Sequence, residues 1–332
     1  MRFFIEEGTR QAKQETNQRQ KHINPRQTTQ ARSAKPAYTH QNMHIATHDG
    51  PFHADETLAI ATLKLLHPDC TITRTRNPAV YNQANVRIDV GGAYNPQTGD
   101  FDHHQRGGAG ARTNGIPYAS AGLIWKHFGH QLTTKEEHER VDLRLFCPID
   151  AGDNGVSLCQ PTRQDILPYE LFKAIETLVP PWTTSTPEQL DAAFHQAVFF
   201  MQTLLKAELA HAKSYIASRA IVLTALKNQP GPILVLPEPC EWEDWVIQHP
   251  EKLFVIKPNK DKTAWFIRAV PKKQYCFENR KDFPLSWAGL SGKALEKASG
   301  VKGATFCHNN RFLAVATTKE AARQLAEKAL HN

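Results

Sequence analysis

Four short segments in the first half of the chain carry histidine and aspartate at spacings that suit a metal site. They are His48-Asp49-Gly50-Pro51-Phe52-His53-Ala54-Asp55, Ile88-Asp89-Val90-Gly91-Gly92, Asp100-Phe101-Asp102-His103-His104 and Ile149-Asp150-Ala151-Gly152-Asp153-Asn154-Gly155. Imidazole and carboxylate donors without a thiolate suit a borderline-hard divalent cation such as Mn2+. Six or so such donors suffice for two ions sharing a bridging carboxylate, and a pair of ions can activate a water as nucleophile. Taken singly, Asp and Gly at strand ends are ordinary turn residues and a lone histidine is usually structural. Together they are harder to dismiss: His48, His53 and Asp55 put three donors at one turn, and Asp102-His103-His104 adds three adjacent ones.

The elements that must position these donors alternate in type. Residues 43–47 predict a short strand, and 54–66 a helix with apolar spacing through Leu58, Ala61, Leu65 and Leu66, stopped by Pro68. Residues 71–75 and 86–90 read as strands, 118–128 as a helix closed by Gly129, and 135–146 as a helix leading into a loop over 150–155. This order gives an α/β sheet with ligands at its strand ends. After Pro180-Pro181, Thr186-Pro187-Glu188 is an N-cap, first-turn proline and acidic first turn opening a very long helix to about Leu226. Strands over 233–236, 253–256, 264–270, 305–308 and 312–316, with helices at 291–298 and at the end, make the second half α/β as well.

The chain has 332 residues, 40% hydrophobic and 22% charged, which at roughly 100–200 residues per domain reads as two globular domains. No window approaches the roughly 18 uninterrupted apolar residues of a membrane-spanning helix, so a spanning membrane protein is excluded. Cys70, Cys147, Cys159, Cys240, Cys276 and Cys307 form no C-x-x-C pair, which points to a reducing compartment and no structural zinc. The net charge is +7, but residues 1–42 hold eight Lys/Arg against Glu6, Glu7 and Glu15, so most of the excess is local. That segment, poor in large aliphatics, reads as a disordered basic tail. The segment is expected to be an accessory tail or a mis-assigned start ahead of Met43, with the protein cytoplasmic, or else an organelle-targeting leader.

The succession T-H-D-G-x-F-H-x-D-E, I-D-V-G-G, F-D-H-H-Q and I-D-x-x-D-N-G resembles the MYG (melanocyte proliferating gene) family of exonucleases, a branch of the Asp-His-His (DHH) phosphoesterase superfamily. Similarity continues through Ser120-Ala121-Gly122-Leu123, Trp265 to Pro271, Phe283-Pro284-Leu285-Ser286-Trp287, Ser299-Gly300-Val301 and His308. The pattern departs after Trp287, where Ala288-Gly289-Leu290 replaces the usual arginine and acidic residues, and after His308, where Phe312-Leu313-Ala314-Val315 replaces a glycine pair.

The resemblance implies a two-domain α/β DHH-phosphoesterase-like protein. A parallel-sheet catalytic domain over 43–180 would be joined by a long helix over 181–227 to a smaller α/β substrate-binding domain over 228–332. By motif, His48 and His53 would hold a first metal, Asp55 and His103 a second, and Asp89 would bridge them. Asp153, or less well Asp150, would complete the set, His104 would touch the substrate phosphate, and Asp102 would orient it. His53 stands where many superfamily members carry aspartate, which leaves the first site more neutral. The ions would be two divalent cations, Mn2+ or alternatively Mg2+. The substrate would be RNA or short oligonucleotides cut from the 3′ end, held by Arg268, Lys272, Lys273, Arg280 and His308, with Trp265 and Trp287 as stacking surfaces. The alternatives are a small-molecule phosphoesterase acting on pyrophosphate or a cyclic dinucleotide, and a non-catalytic, metal-stabilised binding protein.

Overall fold

The computed structural model describes residues 43–160, 162–163, 165–166, 168–274 and 276–331. The basic tail expected over 1–42 lies outside the described residues. β1 (His44–Thr47) is the central strand of the first sheet, and its Ile45, Ala46 and Thr47 are buried. That burial on both faces explains why the strand reads as a run rather than an alternation. Around it follow α1 (Ala54–Leu66), β2 (Thr71–Arg74), α2 (Pro78–Tyr81), β3 (Val86–Ile88), β4 (Tyr94–Asn95) and β5 (Asp100–Phe101), giving the strand order β2-β1-β3-β5-β4. The strands are parallel except β4, which runs antiparallel to β5 and so corrects the expectation of a wholly parallel sheet. Pro96-Gln97-Thr98-Gly99 is too short for a crossover, which takes a dozen or more residues, so the chain must double back.

α3 (Ser120–Phe128) and α4 (Lys135–Val141) precede a π-helical turn, Asp142–Phe146, that continues into α5 (Cys147–Asp153). The 150–155 segment expected as a loop is thus helical through Asp153. Pro148 has no N–H to give the helical ladder, and just before it the Cys147 N–H reaches back to the Asp142 carbonyl, which widens the helix without ending it. After α6 (Leu171–Glu176) comes α7 (Pro187–Asn228), with Thr186 as its N-cap as the sequence predicts and Gln189 completing a capping box. At 1.5 Å per residue α7 is about 63 Å long. Phe194, Ala197, Val198, Met201 and Leu205 bury its first half in the core around Ile45, Leu58 and Trp125, where it packs on α1. Val222 and Ala225 bury its far end beside Leu234 and Val255.

The remaining elements are β6 (Ile233–Val235), α8 (Glu243–Val246), β7 (Phe254–Pro258), β8 (Trp265–Ala269), α9 (Gly292–Ser299), β9 (Ala304–Cys307), β10 (Leu313–Ala316) and α10 (Lys319–Leu330). They build a second sheet in the order β6-β7-β8-β10-β9, parallel only between β6 and β7. Its core gathers Phe254, Ile267, Phe283, Trp287 and Leu325. The fold is therefore α/β with two mixed sheets. No helix among the described residues is long and apolar enough to cross a membrane.

Candidate metal centre

Each of the four sequence segments ends an element beside one cavity of about 680 Å3, a size typical of small-molecule sites. His48 follows β1, and its Nδ1 lies 3.1 Å from the Asp49 carbonyl, which leaves Nε2 facing inward. His53 is the N-cap of α1, whose first turn carries Asp55 and Glu56, acidic residues that suit the positive end of a helix. Asp89 follows β3 at φ 53°, and the next turn runs through Gly91 (φ 103°) and Gly92 (φ 62°). The left-handed region accounts for the glycine pair of I-D-V-G-G, since side chains are strained there.

The donors converge in three overlapping groups whose ligand atoms lie within 4.8 Å of one another: His48, His53, Glu56 and Asp89; Asp89, His103 and His104; and Asp55, His103 and Asp153. His48 Nε2 is 3.1 Å from Glu56 and 3.3 Å from Asp89, while His103 Nε2 is 2.9 Å from Asp153 and 3.5 Å from Asp89. Asp89 thus stands between His48 and His103. Glu56 Oε2, Asp89 Oδ1 and His103 Nε2 are buried, and despite these short approaches none has a hydrogen-bond partner in good alignment. Buried polar atoms of this kind are rarely left without partners, and the donor set fits divalent cations. Glu56, which the sequence reading passed over, adds a second carboxylate to the group containing His53.

The electrostatics agree with that fit. Burial would lower the His48 imidazole, yet Asp89 and Glu56 push it up to about 10. His103 is likewise desolvated but is driven to about 11 by Asp153 and Asp89. Burial opposes ionisation of Asp89, but His103, His104 and His48 hold its carboxyl far below the usual carboxylate range. Asp55 is raised well above its ordinary value by burial and by Asp153 and Asp89. So many carboxylates crowded together draw in positive charge, as protons on imidazoles or as metal cations.

Other residues orient the donors. Asp102 accepts from Gly92 N at 2.7 Å through one oxygen and from His104 N and Nδ1 at 3.0 and 2.9 Å through the other. The exposed His104 ring therefore presents its Nε2 edge away from Asp102. Asp55 accepts from Ser120 N and Ala121 N at the start of α3 at 3.0 and 2.6 Å. Asp150, fully buried, lies outside the three groups: it accepts from Gly122 N at 3.0 Å and from Arg112 Nη1 at 2.6 Å. Burial pushes its carboxyl up to about 7 against the pull of Arg112. Arg112 also grips Asp142 through two bonds of 2.8 and 2.7 Å. Neither Arg112 nor Asp142 carries a motif that would single it out in the sequence.

The candidates in the second half lie elsewhere. Arg268, Lys272, Arg280 and His308 do not line the cavity. The Arg268 guanidinium lies over the Phe312 ring, 4.8 Å from its centroid, and Lys272 donates to Glu278 at 2.8 Å. Arg280 donates to the carbonyls of His249, Lys252 and Ile247, His308 Nδ1 accepts from Asn310 N, and Trp287 is buried in the second core.

A family model for MYG1 exonucleases, described as an uncharacterised protein family (UPF0160), matches residues 44–330. The chain is 31% identical over 322 residues to the human protein named MYG1 exonuclease, covering 86% of this chain and 85% of that one. It is 32% identical over 323 residues to the MYG1 exonuclease of Rattus norvegicus, covering 86% and 84%. It is 31% identical over 319 residues to the MYG1 protein of Dictyostelium discoideum, covering 86% and 96%.

Proposed function

Because the chain belongs to the MYG1 exonuclease family, we propose that it is a metal-dependent phosphodiesterase that hydrolyses RNA or short oligonucleotides from the 3′ end. The observation that carries this reading is Asp89, a single buried carboxylate set between His48 on one side and His103 on the other. His48, His53, Glu56 and Asp89 would hold one divalent cation, and Asp89, Asp55, His103 and Asp153 a second. Mn2+ suits this mixture of imidazole and carboxylate best, with Mg2+ the alternative. Such a pair supplies a water of lowered pKa and a clamp for the oxygens of an in-line displacement at phosphorus.

The chain's own residues do the rest. The amides of α3 fix Asp55, and Asp102 fixes the imidazole of His104. Without cations, Asp89 and Asp102 push His104 up to about 9; in the loaded centre the ring, held by Asp102, would offer its free edge to a phosphoryl oxygen as a hydrogen-bond or proton donor. Residues 43–180 would form the DHH-like catalytic domain, α7 the connector and 228–332 the domain that holds the rest of the nucleotide chain.

The test is a metal-free preparation reloaded with Mn2+, Mg2+ or Zn2+ and offered end-labelled RNA, DNA, short oligonucleotides and pyrophosphate. Mn2+-dependent shortening of the RNA from one end is expected. Cleavage of pyrophosphate alone would replace this reading with a small-molecule phosphoesterase.

A further inference from the structure

Besides the donor groups, the cavity has two walls of opposite charge. One is made by Arg76 and Tyr81, the Tyr81 ring lying against Gly91, where a Cβ would come 3.5 Å from Cε2. The other is made by Phe172 and Glu176, one helical turn apart on α6. There the Phe172 ring lies against Gly152, where a Cβ would come 3.1 Å from Cδ1. Among the described residues lining the cavity, Arg76 is the one lysine or arginine, and Glu176 the one acid outside the four His/Asp segments. The walls are tied to different donors. Arg76 is 3.4 Å from Asp49, which follows His48, whereas Gly152 immediately precedes Asp153. A substrate whose phosphorus reacts at Asp89 therefore has an arginine on the His48 side and an aromatic ring with a carboxylate on the Asp153 side.

We propose that these walls read the end of a nucleic-acid chain. Resting on the nuclease reading above, this adds how an end is told from an interior bond. Phe172 stacks on the terminal base and Glu176 accepts from a sugar hydroxyl, while Arg76 holds the phosphate next inward from the one that reacts. Glu176 repels any phosphate placed beyond the terminal sugar, so an interior nucleotide or a phosphorylated end is rejected by like charge. Both side chains already have partners, Arg76 with Asp49 and Glu176 with Lys173 at 2.7 Å. These pairs are largely exposed, hence weak and exchangeable for a substrate contact.

The experiment is equilibrium binding of cleavage-resistant phosphorothioate tetranucleotides to the full-length, Mn2+-loaded protein. The ligands carry hydroxyls at both ends, a 3′-phosphate, or a 5′-phosphate, with a nucleoside monophosphate as the short ligand. The wild-type protein should bind one of the phosphorylated forms about tenfold more weakly than the hydroxyl form, and Glu176→Gln should bring that ratio close to one. Arg76→Gln should lose about tenfold more affinity for the tetranucleotide than for the monophosphate, and Phe172→Ala should weaken both. A wild-type protein indifferent to end phosphates, or a Glu176→Gln variant that keeps the full penalty, would overturn the proposal. End-selective binding without turnover would support it while removing the hydrolytic reading.

Discussion

Gly122 lies in the first turn of α3, where alanine is favoured over glycine by about 0.8–1 kcal/mol, so propensity alone makes Gly122→Ala stabilising. The structure reverses the sign. A Cβ on Gly122 would lie 1.8 Å from Asp150 Oδ2 and 2.7 Å from Arg112 Nη2. Neither group can retreat freely, because Asp150 is buried between the Gly122 amide and Arg112, and Arg112 is itself held by Asp142. Relieving the clash means tearing Asp150 from Arg112, and breaking a buried pair costs about 3–5 kcal/mol. Less the propensity gain, the net loss is about 2–4 kcal/mol, or roughly 4–16 °C at about 2–4 °C per kcal/mol. Thermal unfolding of Gly122→Ala, Asp150→Ala and the double variant decides it. In the Asp150→Ala background the 1.8 Å contact is gone and only the end of the Arg112 side chain still crowds the new methyl, so Gly122→Ala should cost much less there, with a coupling energy of about 2 kcal/mol or more. An equal cost in both backgrounds, or a raised Tm in the single variant, would refute the clash.

Asp89→Asn keeps a side chain that tolerates the left-handed backbone, so its effect reports lost charge; elemental analysis should find at least one ion missing and turnover abolished, as for His103→Ala. His104→Ala should keep its metal content but lose roughly 10²–10⁴ in single-turnover rate, and loss of a metal instead would make His104 a ligand. Without metal, His48 and His103 are raised from 6.5 to about 10 and about 11. Their stabilisation is thus complete below pH 6.5 and is lost as pH rises through those values. Unfolding midpoints in chelator should accordingly fall above pH 6.5 while metal affinity, which requires the same protons to leave, should rise; a midpoint climbing with pH would contradict this.

That these His and Asp side chains would gather in one place was legible because β1, β3 and β5 each end directly at a His/Asp segment, and α1 spans the very residues, Ala54–Leu66, that its apolar spacing marks. Glu56 was not, because an acid three residues past an N-cap reads as capping, and it does accept from His53 N at 2.8 Å. Choosing between Asp150 and Asp153 depends on how α5 is rotated against α3, which no local pattern records. Arg112 meets its partners 30 and 38 positions away, a pairing only the tertiary fold creates. The hairpin of β4 and β5 escaped notice because each strand has only two residues, too few for a period to show. Trp287 reads equally well as a stacking surface or a core residue until Phe283 is found beside it, rings 6.1 Å apart.

The start of α3 links these observations. Successive amides of Ser120, Ala121 and Gly122 hold Asp55, a donor, and Asp150, which sits one turn before the donor Asp153 on α5. A helix N-terminus carries partial positive charge, so it can hold buried carboxylates that would otherwise repel each other. Arg112 neutralises Asp150, but Asp55, Glu56, Asp89 and Asp153 have no arginine or lysine hydrogen-bonded to them among the described residues. Among the described residues the ion-pair partners of that inner set are imidazoles, and protons on them satisfy it at the cost of desolvated charge. The residues that would hold the cations therefore crowd negative charge together when no cation is bound. The supporting bonds from α3 and Arg112 keep the carboxylates in place when the inner charge is unbalanced, and this is the role that Gly122 and Asp150 serve.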